Sequence, residues 1–185
     1  MKKILIFLLA ISMVAVLAAC SEKEKNEDKD KVKDKDNVTV FKSEDNKYQV
    51  SASKGWEDAE GSLHPDSELQ INDSSKEKYF ITLLESKEDI TDSSLQTYFD
   101  LVTEQFISSL DNPKQGDVNE ITINGNNALQ YTLEGTVDSV NVVYLVTIIE
   151  TPTHYGQLMA WTLKSKWDGY KDEYTNLVNS FKEVK

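Results

Sequence analysis

In this chain of 185 residues the best grouping of chemically capable side chains is Leu63-His64-Pro65-Asp66-Ser67-Glu68. A histidine with carboxylates close by suits a hard or borderline divalent cation. The spacing matches no defined motif, however, and Pro65 stiffens the segment. His154, the other histidine, is far away in sequence and sits in a proline-containing turn. The reading is therefore a solvated loop, with His64 and either Asp66 or Glu68 at most an adventitious metal site, and His154 a surface residue. Nucleophilic catalysis needs a nucleophile beside a base that a third group orients. Serines are plentiful, but none stands in Gly-x-Ser-x-Gly, and the seven glycines are scattered at turns rather than gathered into a phosphate-cradling loop. The paired acids Glu57-Asp58, Glu88-Asp89 and Asp172-Glu173 read as solvated, because catalytic carboxylates are more often isolated in an apolar cleft with a raised pKa. Trp56, Trp161 and Trp167 fall on turns or apolar stripes and are expected to pack rather than to form a carbohydrate platform. No catalytic residue, no cofactor and no dedicated metal site follow, and the chain is not expected to be an enzyme.

Cys20, the one cysteine, ends the apolar run Ile4–Ala19, which follows Lys2 and Lys3. A charged start, an apolar middle shorter than the roughly 20 residues a spanning helix needs, and small residues at the end make residues 1–19 a signal peptide. Leu17-Ala18-Ala19-Cys20 resembles the lipobox of bacterial lipoprotein precursors. That resemblance implies diacylglyceryl transfer to the Cys20 sulfur, cleavage before it by signal peptidase II, and anchoring on the extracytoplasmic face of the cell membrane. With the leader removed, 18 lysines stand against 32 acids and there is no arginine. A polyanion would be repelled and bidentate phosphate recognition is absent, so nucleic acid is excluded as a partner. An acylated Cys20 leaves no thiol for a disulfide or a thiolate metal site.

Residues 21–37 hold one apolar residue, Val32, among alternating acids and lysines. They cannot bury enough surface to offset their ordering entropy, so residues 20–37 read as a lipidated cysteine and a disordered tether. Asp34-Lys35-Asp36-Asn37 looks superficially like the start of a calcium loop but lacks the required glycine and glutamate. Residues 38–185 have the composition of one globular domain, and a length near 150 residues is enough to bury about 70% of the unfolded surface.

The elements that must position these residues follow from periodicity. Strands are expected at Lys47–Ser53, Glu68–Asn72 and Lys78–Glu85, with Gly55-Trp56 and Ser74-Ser75-Lys76 as turns. Leu95, Tyr98, Phe99, Val102, Phe106 and Leu110 make one helical stripe, with Asp92 or Ser93 as N-cap and Asn112-Pro113 as the stop. Val118–Ile123, Leu129–Val137, Val140–Glu150 and Gln157–Leu163 are the later strands. Asn124-Gly125 is a type I′ hairpin turn and Thr151–Gly156 a second turn. Val142, Tyr144, Val146 and Ile148 alternate with Val143, Leu145 and Ile149, so that strand is apolar on both faces and must be central and covered on each side. Trp167, Tyr170, Tyr174, Leu177, Val178 and Phe181 stripe a last helix. Short connections make the sheet antiparallel. The predicted fold is α+β, a three-layer α/β/α sandwich with Trp161 under a helix and Phe181 docking the last helix to the sheet.

Tyr48-Gln49-Val50 leading to Gly55-Trp56, Ile123-Asn124-Gly125 with Ala128, and Ser180-Phe181 resemble the PsbP-like family. Lys54 departs from it, since the family often has a proline near that turn. The resemblance implies a helix–antiparallel sheet–helix sandwich and a tendency to act by docking onto other proteins. The family includes extrinsic subunits of photosystem II and a regulator of a small nuclear GTPase, roles that short structural motifs do not transfer. The expected function is a membrane-anchored, non-catalytic interaction module in the cell envelope, bound to lipid through Cys20 and to a protein partner. The alternatives are a small-ligand or cation-binding lipoprotein serving a transporter, and an envelope enzyme with a carboxylate site.

Overall fold

The computed structural model describes residues 38–90 and 93–184. The signal peptide, Cys20, the tether and the candidate N-cap Asp92 lie outside the described residues. The strands are β1 (Val38–Lys42), β2 (Tyr48–Ser53), β3 (Glu57–Asp58), β4 (Leu69–Asp73), β5 (Lys78–Ser86), β6 (Asp111–Gln115), β7 (Asn119–Ile123), β8 (Asn126–Val137), β9 (Val140–Glu150), β10 (His154–Leu163) and β11 (Lys182–Glu183). The helices are α1 (Leu95–Ser108) and α2 (Trp167–Asn179), and Ser74–Lys76 and Lys164–Lys166 are each one 3-10 turn.

Eight strands form one antiparallel sheet in the order β3-β4-β5-β10-β9-β8-β6, with β7 also on β8. The doubly apolar β9 is central, as its alternation requires. Val142, Tyr144, Val146 and Ile148 enter one buried cluster with Tyr98, Phe99 and Phe106 of α1, while Leu145 and Ile149 enter the other with Tyr174, Leu177 and Val178 of α2. Asn124 (φ 49°) and Gly125 (φ 87°) both take left-handed backbone, as a type I′ turn demands.

Four strands were not legible in the sequence. β6 and β7 run end to end along β8, joined through Gly116, whose N–H donates to the Thr132 carbonyl at 2.9 Å. Pro113 is tolerated in β6 because that strand is an edge. β1, β2 and β11 form a separate three-stranded sheet. One outer layer is therefore α1, and the other is α2 together with this small sheet, which adds to the expected one helix per face. α1 is capped by Ser94 rather than Ser93, its Oγ accepting from Thr97 N–H at 3.1 Å. The helix ends at Ser108, before Asn112-Pro113, and Leu110 lies beyond it. Leu110 is still buried, because Gly135 leaves room there; a Cβ at Gly135 would meet Leu110 Cδ1 at 2.8 Å. The turn before β10 is also shorter than expected, since His154 already begins the strand.

Candidate functional site

The most concentrated chemistry lies under α2. Lys78, at the start of β5, is 1% exposed, and Asp73, at the end of β4, is 4% exposed. The 3-10 turn between them reverses the chain, so that the ladder sets the two residues opposite each other. The Lys78 Nζ lies 2.8 Å from Glu173 Oε1 and 3.3 Å from Asp73 Oδ2. It also stands over the rings of Trp56 (4.8 Å to the centroid) and Tyr170 (5.4 Å). Glu173 Oε1 accepts further from Trp56 Nε1 at 2.7 Å and Ser53 Oγ at 2.5 Å. Asp73 Oδ1 accepts from Ser75 Oγ at 2.7 Å, and Lys76 lies 3.4 Å from Oδ2. Burial alone would raise both carboxyls. The hydrogen bonds and the Lys78 charge more than reverse it, holding Glu173 and Asp73 below the usual carboxylate range. The ammonium thus has two carboxylates and two ring faces, the compensation a buried charge requires.

This constellation corrects the reading of Asp172-Glu173 as a solvated pair, for Glu173 is turned inward. Helical spacing could have found it: Tyr170 and Tyr174 bracket Glu173 at three- and four-residue offsets. The buried lysine had no such signal, since Lys78 alternates like a strand end.

His64 is also corrected. It is 6% exposed, and its loop is pinned by Gln70. Gln70 Oε1 accepts from the N–H of Leu63 (2.8 Å), and Nε2 donates to the His64 carbonyl (3.0 Å). His64 Nδ1 accepts from the Asp66 N–H at 3.2 Å and so is engaged locally. Asp66 and Glu68 do not join it in a ligand set. Among the described residues no three His, Cys, Asp or Glu side chains are grouped to hold a metal ion. His154 is half-buried between the two sheets, its Nδ1 3.1 Å from Tyr48 Oη and 2.8 Å from Thr153 Oγ1.

The three tryptophans pack, as expected. Trp56 and Trp161 are buried, and Trp167 stacks on Tyr174 at 6.0 Å. Trp161 lies in the α1-side cluster between Tyr79 (5.3 Å) and Tyr144 (5.8 Å). Phe181 stacks on Tyr48 at 5.9 Å. Beside α1, a shallow open groove of about 440 Å³ is lined by Phe99, Asp100, Thr103, Glu104, Ile107, Ser108 and Gln115. Among the described residues, no helix is long and apolar enough to cross a membrane.

No family model matches this sequence, and no curated protein matches it. Solved structures do match. The cyanobacterial PsbP protein CyanoP of Synechocystis is 15% identical with a TM-score of 0.58, over 80% of this chain and 93% of that one. LpqN of Mycobacterium tuberculosis, described as involved in cell envelope biogenesis, is 12% identical with a TM-score of 0.58, over 80% and 91%. The Ran-binding protein Mog1p of Saccharomyces cerevisiae is 12% identical with a TM-score of 0.54, over 79% and 95%. At these identities the likeness is one of fold. The described domain is an α/β sandwich similar in fold to these three proteins, the architecture expected from its sequence.

Proposed function

We propose that this protein is a non-catalytic binding module, carried on the outer face of the cell membrane by lipid on Cys20 and acting through a protein partner in the envelope. One observation carries the non-catalytic part. Among the described residues, the carboxyls whose pKa departs from the ordinary range (Asp45, Asp73, Glu134 and Glu173) are all lowered by hydrogen bonds and nearby lysines. A carboxylate kept for acid–base work would instead be raised. The most buried of these carboxyls, Asp73 and Glu173, hold Lys78 between β4, β5 and α2. The binding part is supported by fold: Mog1p is a Ran-binding protein, and LpqN serves envelope biogenesis. The anchor rests on Leu17-Ala18-Ala19-Cys20, and the 17 residues that follow can reach roughly 60 Å when stretched.

The test is growth with a clickable palmitate analogue, then crosslinking in intact cells and mass spectrometry. The wild-type chain should carry label on Cys20, fractionate with membrane and give a discrete protein adduct. Cys20→Ser should remain an unlabelled, uncut precursor. An unlabelled chain recovered from the medium would overturn the anchor, and hydrolysis of an envelope substrate by the purified protein would overturn the non-catalytic reading.

A further inference from the structure

Among the described residues the two sheets end in four edges, and three of them are blunted against pairing with another chain. β3 is two residues long, both acidic and exposed. The β6–β7 edge contains Pro113 and a register shift between Asp111 and Lys114. β11 is two residues, Lys182-Glu183. Short length, charge, proline and bulges are the usual devices that protect edges. β1 carries only Lys42, at its last position. Val38-Thr39-Val40-Phe41-Lys42 pairs with β2 in unbroken register at all five positions, without proline or glycine. Val38 is 59% and Val40 49% exposed.

The main chain of β1 is also turned outward at those residues. Ser51 of β2 donates its N–H to Ser180 Oγ at 2.7 Å, and the same hydroxyl lies 3.3 Å from the Ser51 carbonyl oxygen. Both main-chain groups of Ser51 therefore point away from β1. In an antiparallel ladder that orientation alternates along each strand and is shared by directly opposed residues. Val40 is opposite Ser51, so its N–H and C=O turn to the free edge, as do those of Val38 and Lys42.

We infer that β1 is a self-pairing edge, which joins two copies of this chain in an antiparallel β1–β1 ladder centred on Val40. In that register Val40 meets Val40 as a hydrogen-bonded pair with Cα atoms about 5.5 Å apart. Thr39 meets Phe41, and Val38 packs on the stem of Lys42. No like charges are opposed. The strand has no acid, whereas residues 38–185 hold 25 acids against 12 lysines. Pairing along this edge keeps the two acidic bodies apart, which broad face-to-face contact would not. A second copy is also the chain most available to this edge. Residues 20–37 join the domain at Val38, so an anchor at Cys20 would confine all copies to one plane. That last point alone rests on the anchor reading; the register argument does not.

The experiment uses the full chain in its own membrane, with cysteine placed singly and a short thiol-to-thiol crosslinker. Val40→Cys should yield a homodimer many times more abundant than Leu101→Cys, a comparably exposed position on α1 (39% against 49%). Differently tagged copies carrying Val38→Cys and Lys42→Cys should crosslink to each other, and adding Val40→Lys to both copies should abolish that adduct. Equal yields from Leu101→Cys and Val40→Cys would mean random collision and would overturn the pairing. A Val40→Cys adduct to a different protein, or no adduct from chains that fractionate with membrane, would overturn it too. Loss of the chain to the medium would instead defeat the anchor. Thermal melting of each variant excludes misfolding, since all four positions are exposed.

Discussion

The two faces of the eight-stranded sheet each carry one helix, but they hold it by different physics. On the α1 face aromatic pairs lead an otherwise aliphatic contact: Tyr98 stacks on Tyr155 at 4.9 Å, Phe99 meets Tyr131 edge-on at 5.5 Å, and Phe106 meets Tyr144 at 4.8 Å, with one hydrogen bond to a carboxylate, from Tyr98 Oη to Glu85 at 2.8 Å. Its phenols stay neutral, because burial pushes Tyr131 up to about 12 and Tyr98 and Tyr144 higher still. On the α2 face, apolar packing is joined by the Lys78–Glu173–Asp73 network, by Ser180 on Ser51, and by Asn124 Nδ2 donating to the Phe181 carbonyl at 2.7 Å. Ring packing is tolerant in direction and indifferent to pH. A buried charge network is directional, so it sets how α2 is rotated on the sheet, and it makes that attachment sensitive to acid.

The largest test of this contrast is Trp161→Ala, which removes the ring between Tyr79 and Tyr144 and should cost about 3–5 kcal/mol in denaturant unfolding. Phe181→Ala on the opposite face should fall in the same range, and a loss below about 1 kcal/mol at either site would break the account of that face. Lys78→Met should cost about 3–5 kcal/mol, because it leaves the half-buried Glu173 without a cation and the buried Asp73 with Lys76 alone. Its effect should be larger at neutral pH than in acid, where those carboxyls become neutral, whereas that of Trp161→Ala should not depend on pH.

Acid alone should separate the two faces more gently. Both carboxyls lie below their unfolded values of about 4, so their stabilisation is complete above about pH 5 and disappears as the pH falls through the lowered folded values. Hydrogen exchange should then show α2 amides opening at low pH before those of α1; simultaneous opening would remove the distinction. Ser94→Ala, which deletes the α1 cap, should cost about 1 kcal/mol at any pH. Deleting residues 21–37 should leave the melting temperature unchanged, and a drop of several degrees would show that the segment packs on the domain.

Much of this was readable from side-chain alternation. β9 announced its central place by being apolar on both faces, and Asn124-Gly125 announced its turn. The motifs that suggested the PsbP-like family prove to be one physical unit. Tyr48, Val50, Trp56, Ile123, Ala128 and Phe181 all belong to the cluster beneath α2, and Asn124 bonds the carbonyl of Phe181. Those short motifs are what attach the last helix, which is why they carried fold rather than chemistry. β3, β6 and β11 escaped notice because they are short edges whose exposed residues show no apolar period, and β1 because its Val38-Thr39-Val40 alternation is brief and runs straight into Phe41.

Local order in the chain thus determined the elements, the antiparallel sheet and the faces of its central strand, because periods of 2 and 3.6 are written in neighbouring residues. Only the tertiary structure decided which charges are buried. Lys78 and Glu173 are 95 positions apart and meet at 2.8 Å, a proximity that no local pattern encodes. The burial of His64, at 6% exposed, and the edge position of β1 among the described residues were decided there too. Burial and strand pairing are properties of what the rest of the chain brings alongside.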